Sequence, residues 1–234
     1  MKSLGELLPG SLVATLSKVG DKRRVQPEIL DSLPANAPGA LASRRDLHLI
    51  NKAIGSNDWF RCRLRERRRA KERVLELGAG DGELGSKLNL DASDLAGIDF
   101  APRPVGWPLG ADWFENDVRV FSKWADYPVV IGNLFFHHFN TADLAELGAR
   151  IDKQARMVIA CEPRRHERSI RLFRWFCVLI RAHPITRHDG AVSIVGGFVR
   201  DELPRLLGLD AKRWRWRVQE TWLGAYRLVA ERRA

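Results

Sequence analysis

Four groups of residues in this chain have the types and spacing to do chemistry. The first is Glu76-Leu77-Gly78-Ala79-Gly80-Asp81-Gly82, where three glycines alternate directly after a short apolar run. A strand that turns abruptly through glycine into a helix brings main-chain N–H groups close to a ligand. The Glu76 carboxylate stands where that strand ends. The second group is Asp99-Phe100, closing the next apolar run, with Asp99 nineteen residues beyond Gly80. The third is Asp117-Val118, and the fourth is Asn133-Leu134 followed by the pair His137-His138.

A dinucleotide site needs Gly-x-Gly-x-x-Gly, the last glycine allowing close helix packing below a pyrophosphate. Here the residue three past Gly80 is Glu83, and the third glycine comes early, at Gly82. Asp81 and Glu83 flank the start of the next helix. Two carboxylates there repel a pyrophosphate and suit a positively charged ligand. S-adenosylmethionine carries a sulfonium and an ammonium, so the electrostatics favour it. A carboxylate at Asp99 can accept from both ribose hydroxyls. Asp117 can accept from an adenine amino group, with the Val118 N–H at a ring nitrogen. Each acid alone is equally well a turn residue or a helix cap; their placement after successive strands joins them into one cleft.

Those groups need a scaffold that brings strand ends together. Strands are expected at Val74–Leu77, Leu95–Asp99, Ala111–Phe114, Pro128–Gly132 and Arg156–Cys161. Helices are expected at Gly82–Leu88, Thr141–Gln154, Arg165–Ala182 and Val199–Leu207. Alternation of this kind gives an α/β fold, a doubly wound and mostly parallel sheet. Two runs at Arg213–Thr221 and Gly224–Arg232 would add a C-terminal antiparallel hairpin, making seven strands. In such sheets ligands bind outside the carboxyl ends of the strands, near the switch in strand order. Before residue 73, Ser43 is read as the cap of a helix over Arg44–Ile54 that stops at Gly55, and Asn57 as the cap of the next. Residues 1–40 read as an arm or lid. The organisation is then an arm and helical cap over 1–72 and a binding domain over 73–234.

With these motifs in place, residues 73–165 resemble the core of a class I S-adenosylmethionine-dependent methyltransferase, a Rossmann-like fold. Glu76 to Gly82 match the first motif of that family, Asp99 its second-motif acid and Asp117 its more variable adenine-side acid. The Val129–Phe139 segment resembles the Asn-Leu-x-x-His-His stretch of small-molecule methyltransferases of the ubiquinone/menaquinone-biosynthesis and bacterial polyketide-associated type. Thr186-Arg187-His188-Asp189-Gly190 is similar to the latter group. The resemblance implies that Glu76, Gly78, Ala79, Gly80, Gly82, Asp99, Phe100, Asp117, Val118, Asn133 and Leu134 hold S-adenosylmethionine. It implies methyl transfer to a small-molecule acceptor, on an oxygen of a phenol, enol or polyketide-like compound.

Such an acceptor has to lose a proton, and a histidine is the natural base near neutrality. His137 and His138 are the catalytic candidates, and the same pair can equally cap the next helix or fill the pocket wall. His188 and Arg164 are candidates for the acceptor site. Arg164, Arg168 and Arg171 recur at helical spacing, which also describes a solvated face. Phe135, Phe136 and Phe139 read as packing.

Charge leaves a second function open. The formal charge is +10, and residues 1–73 carry 16 Lys/Arg against 8 Asp/Glu. The excess is concentrated in Arg61–Arg73, which fits either a solvated helix or contact with nucleic acid. An RNA methyltransferase is the alternative, against which strand four ends in Asn133-Leu-Phe-Phe and not in the Asn/Asp-Pro-Pro-aromatic of adenine-amino methylation. A non-catalytic binding protein on the same fold is a third reading. The three cysteines, Cys62, Cys161 and Cys177, have no metal-ligand spacing, so no metal is expected and the thiols are expected reduced. Glu6 and Pro9 interrupt any signal-peptide core, and Leu172–Ile180 is too short to cross a bilayer. The expected setting is cytoplasmic, and nothing in the sequence fixes an oligomeric state.

Overall fold

The computed structural model describes residues 19–34 and 36–233. The first half of the expected arm, with Glu6 and Pro9, therefore lies outside the described residues. Val74-Leu75-Glu76-Leu77 forms β1 (Val74–Leu77), buried on both faces. That is the burial a central parallel strand requires. The other strands are β2 (Leu95–Asp99), β3 (Asp112–Glu115), β4 (Val129–Asn133), β5 (Met157–Pro163), β6 (Trp214–Glu220) and β7 (Ala225–Arg232). They form one seven-stranded sheet in the order β3-β2-β1-β4-β5-β7-β6. The first five run parallel, β7 runs antiparallel to β5, and β6 pairs antiparallel with β7 at the edge. The expected sheet and terminal hairpin are both present.

The chain proceeds outward from β1 to β3 and then returns to lay β4 on the other flank of β1. The switch in strand order therefore falls between β1 and β4, and the carboxyl ends of β1, β2 and β4 border one crevice. The register places Leu77 beside both Ile98 and Gly132, so Gly78, Asp99 and Asn133 follow at one level.

Helices cover both faces: α1 (Pro38–Ile54), α2 (Ser56–Arg67), α3 (Glu83–Lys87), α4 (Thr141–Gln154), α5 (Glu167–Leu179), α6 (Pro184–Gly196) and α7 (Glu202–Leu206). Alternate residues of β1 feed opposite cores. Leu75 and Leu77 join Ile98, Val130, Phe136 and Leu144 on one face. Val74 joins Phe60, Leu64, Leu84, Trp107 and Ile131 on the other. Phe60, on α2, is wholly buried, worth roughly 1.5–3 kcal/mol for such a side chain. The residues before position 73 thus supply part of the sheet's own cover.

Three local expectations differ. Helix α1 starts at Pro38 and not after Ser43, because Pro at the first turn is pre-set for helix and Ala37 supplies an extended cap. Ser43 is buried inside the helix, where its hydroxyl accepts from Thr186 Oγ1 at 3.1 Å. Gly55 does end α1 with a left-handed φ of 65°, but it also opens α2 directly. Asn57 therefore sits within α2, and its amide donates to Glu83 at 3.1 Å instead of capping a helix. Finally, the helix after β5 stops at Leu179, and Pro184–Gly196 forms a separate helix capped by His183.

Residues 19–34 lie as a strap across the face near α6. Val19 N–H donates to Glu167 Oε1 at 2.9 Å, and Arg23 donates to the carbonyls of Gly196, His137 and Phe139. Arg165, almost fully buried, donates to the carbonyls of Gly20 and Asp21. The Asp189 carboxylate accepts from the N–H groups of Ile29 and Leu30, both at 2.9 Å. No helix among the described residues is long and apolar enough to cross a membrane.

Candidate functional site

The glycine turn is built for close approach. Gly78, Gly80 and Gly82 all have positive φ, at 62°, 57° and 77°. A side chain in that region costs on the order of 1–2 kcal/mol per residue. At Gly78 a Cβ would also meet the Phe135 ring at 2.4 Å, whereas a Cβ at Gly80 would meet nothing within 4 Å. The first glycine is needed for packing and the second faces open space. The turn is pinned to β2: Gly78 and Ala79 N–H both reach the Ile98 carbonyl, and Gly80 N–H donates to Asp99 Oδ2 at 2.8 Å. The other Asp99 oxygen accepts from Ala101 N–H at 2.8 Å.

Four carboxylates crowd this turn. Glu76 is buried, its Oε2 has no hydrogen-bond partner, and its pKa is pushed well above the carboxylate range by burial first and then by Asp99, Asp81 and Glu83. The N-terminal helices meet the same acids. His48 Nε2 lies 2.7 Å from Asp81, and Asn51 donates to Glu83 at 3.0 Å. Asn51 in turn accepts from Asn133 Nδ2 at 3.3 Å, tying α1 to the end of β4. Leu134 follows with a left-handed φ of 55°, a strained conformation at the crevice. Phe100 is largely exposed beside it all. Asp117 instead turns to Arg119, which donates to it from Nε and Nη2 and lowers its pKa. Asn116 N–H bonds the Asp99 carbonyl at 2.9 Å, so the Asp117-Val118 turn is anchored to β2.

Beyond the end of β4, Phe136–His138 forms a single 3-10 turn around a fully buried carboxylate. Glu162 accepts from the N–H groups of Phe135, Phe136 and His137, and from His137 Nδ1 at 2.7 Å. On its other side His137 Nε2 lies 3.3 Å from Glu28 of the strap. Burial opposes the charge on His137, but the two carboxylates outweigh it and raise its pKa to about 9. His138 stacks on it, ring centroids 4.2 Å apart, and lies 3.5 Å from Asp31. Burial and the neighbouring His137 push the His138 pKa down to about 4. Burial, Glu28 and Asp189 raise the Asp31 carboxyl to about 6, with a smaller contribution from Asp99.

This architecture decides the comparison with known proteins. The fold recurs in solved methyltransferases. The chain has the class I methyltransferase fold. The plantazolicin methyltransferase BpumL, solved in complex with SAH, superposes with a TM-score of 0.68 at 12% identity, covering 88% of this chain and 93% of that one. The plantazolicin methyltransferase BamL, solved with SAH and a triazolic desmethylPZN analog, gives 0.65 at 11% identity over 87% and 92%. The pyocyanin biosynthetic protein PhzM gives 0.53 at 16% identity over 85% and 60%. No family model matches the sequence, and no curated relative matches it either.

Within the methyltransferase fold, the structure gathers Glu76, Gly78, Ala79, Gly80, Gly82, Asp99, Phe100, Asn133 and Leu134 about the crevice. Asp117 follows Asn116, which is bonded to the Asp99 carbonyl, and is held by Arg119, while the Val118 side chain packs in the core. Of the acceptor candidates, Arg164 forms an ion pair with Glu220 at 2.7 Å. His188 Nδ1 bonds Asp189 at 2.8 Å, and its buried Nε2 has no partner. Sequence reasoning missed Glu28 and Asp31, and it gave no role to Glu162, at the end of strand five, or to Asp189, within the Thr186–Gly190 segment. Glu162 had a legible signal, since an acid ending a buried strand invites a use. Glu28 and Asp31 had none, because their histidine partners lie over a hundred residues away.

Proposed function

We propose that this chain is an S-adenosylmethionine-dependent methyltransferase acting on an oxygen of a small-molecule acceptor. The observation that carries the reading is the open space over Gly80, framed by Glu76, Asp81, Glu83 and Asp99. Burial favours the neutral form of Glu76 and Lys87 pairs Glu83 at 2.6 Å, so Asp81 and Asp99 are the acids that favour a cationic ligand, while Asp99 can also accept from ribose hydroxyls. Gly78–Gly82, Glu76, Asp99, Phe100, Asp117, Val118, Asn133 and Leu134 would hold the cofactor. When bound, it supplies a methyl group activated by a sulfonium. The Asp117–Arg119 pair is half-exposed and worth at most about 1 kcal/mol, so releasing Asp117 toward an adenine amino group is cheap.

The strap, α6 and the Phe136–His138 turn enclose the acceptor side. Within it His137 already carries both ring protons between Glu28 and Glu162, so it positions and does not accept a proton. His138 alone of the pair keeps a lone pair at neutral pH. Arg164, committed to Glu220, shapes the rim, and His188 lines the wall behind Asp189.

Calorimetry with S-adenosylmethionine tests this reading. Wild type should bind, and Asp99→Ala and Gly80→Val should each lose at least about tenfold in affinity, the equivalent of 1.4 kcal/mol. No binding by the folded wild type, or wild-type affinity in both variants, would remove the proposal. The alternative of a non-catalytic binding protein would show binding without methyl transfer across a panel of phenols and enols.

A further inference from the structure

We propose that Glu28, His137 and His138 form a divalent-cation site, and that the ion holds the hydroxyl oxygen of the acceptor. The second half rests on the methyltransferase reading; the first does not. One ligand atom from each of the three side chains lies within 4.8 Å of the other two. Ligands about 2.0–2.2 Å from one ion stand roughly 3–4.4 Å apart, so sub-ångström movements close the set. His137 Nε2 and Glu28 Oε1, at 3.3 Å, already have that spacing, and an ion between them takes the place of the proton that His137 otherwise holds toward Glu28, which leaves to solvent.

A second observation is independent of that proximity. His137 is oriented by a buried carboxylate, Glu162, at Nδ1. Metal-bound histidines characteristically donate their far nitrogen to a carboxylate, which fixes the ring and strengthens the ligand. Glu162 is itself locked by three backbone N–H groups, and Glu28 is steadied by the Ser193 hydroxyl. The residues that aim the candidate ligands are thus present, each on a different element. Two imidazoles and one carboxylate select zinc, manganese, iron(II) or cobalt(II) over calcium or magnesium. Three protein donors leave coordination positions open, as in catalytic sites.

That vacancy has a use at the acceptor end. A cation bound to a hydroxyl oxygen lowers its pKa. The O–H bond then breaks with the electron pair left on oxygen, and the proton passes to solvent on the side where His138 and Asp31 are open. Acceptors of this kind carry a phenolic or enolic hydroxyl, best with a second oxygen beside it.

Protein stripped with chelator and reloaded with Zn2+, Mn2+ or Co2+ should retain one ion per chain, read by elemental analysis and calorimetry. The cobalt form should show a visible absorption band that shifts on adding catechol. Glu28→Gln and His138→Asn should each weaken the binding by more than about 100-fold, since outer partners alone are worth about 10–100-fold. If the buried Glu28–His137 pair merely clamps the strap, wild type will retain no ion with any of the three metals, and the proposal falls. It also falls if both variants bind as wild type does. A bound ion whose cobalt band ignores catechol removes the acceptor half. His138 is partly exposed, so its variant reports even if Glu28→Gln unfolds. Metal uptake is read without cofactor, so its failure and a failure to bind S-adenosylmethionine are separate results.

Discussion

His137 shows how a residue's neighbours settle its chemistry. In isolation it titrates near 6.5; between Glu28 and Glu162 it holds its proton to about 9. A folded-state pKa above the unfolded one means that the folded chain binds the proton more tightly. The stabilisation is therefore complete below about 6.5 and is lost as pH rises towards 9. His138 acts oppositely: its pKa of about 4 removes stability as pH falls from 6.5. Asp31, raised to about 6, loses stability over nearly the same range as pH rises and offsets His138, so thermal melts in chelator should change little up to about pH 6.5 and decline to pH 9. In His137→Gln the alkaline decline should flatten, and an unchanged decline would assign it to other groups.

The elements divide into those set by local pattern and those set by docking. The turn from β1 to α3 is local: three glycines at alternate positions force it, and Gly80 cannot take a side chain without strain. The strap is the other kind. It has little secondary structure beyond the short Leu30–Ser32 turn and is held by side chains of α5 and α6. Asp189 carries most of that load at the Leu30–Ser32 turn. Asp189→Ala leaves two backbone donors and His188 without their acceptor, at a cost of about 3 kcal/mol. Urea unfolding should register that loss, and limited proteolysis should cut faster within residues 19–34. Helix α6 itself was foreseeable from His183-Pro184, an N-cap followed by proline. The sequence reading assigned no element to 183–198, because Gly190 and Gly196 weaken the periodicity there.

Across the whole molecule, the basic segment proves to be largely paired. Arg61, Arg63, Arg67, Arg68 and Arg73 each meet an acid, Asp58, Glu66, Glu231, Asp94 and Asp112. A groove between α2 and the β6–β7 hairpin, lined by Trp59, Arg63, Arg67, Arg215 and Arg217, is where RNA affinity would arise. Since Glu231 sits in it and pairs Arg67 and Arg215, binding should be no tighter than the roughly 10⁻⁶–10⁻⁴ M of non-specific contacts at physiological salt. Tighter binding that collapses in Arg215→Glu would restore the RNA reading. The sequence by itself determined the sheet, the glycine turn and the acids at successive strand ends. These follow from two local regularities, hydrophobic period and glycine spacing, that tertiary contacts only reinforce. Tertiary structure alone decided what the histidine pair is, because its protonation and aim are set by Glu28, Glu162 and, through the strap, Asp189. Electrostatics acts through space, and the order of residues along the chain does not record which charges will meet.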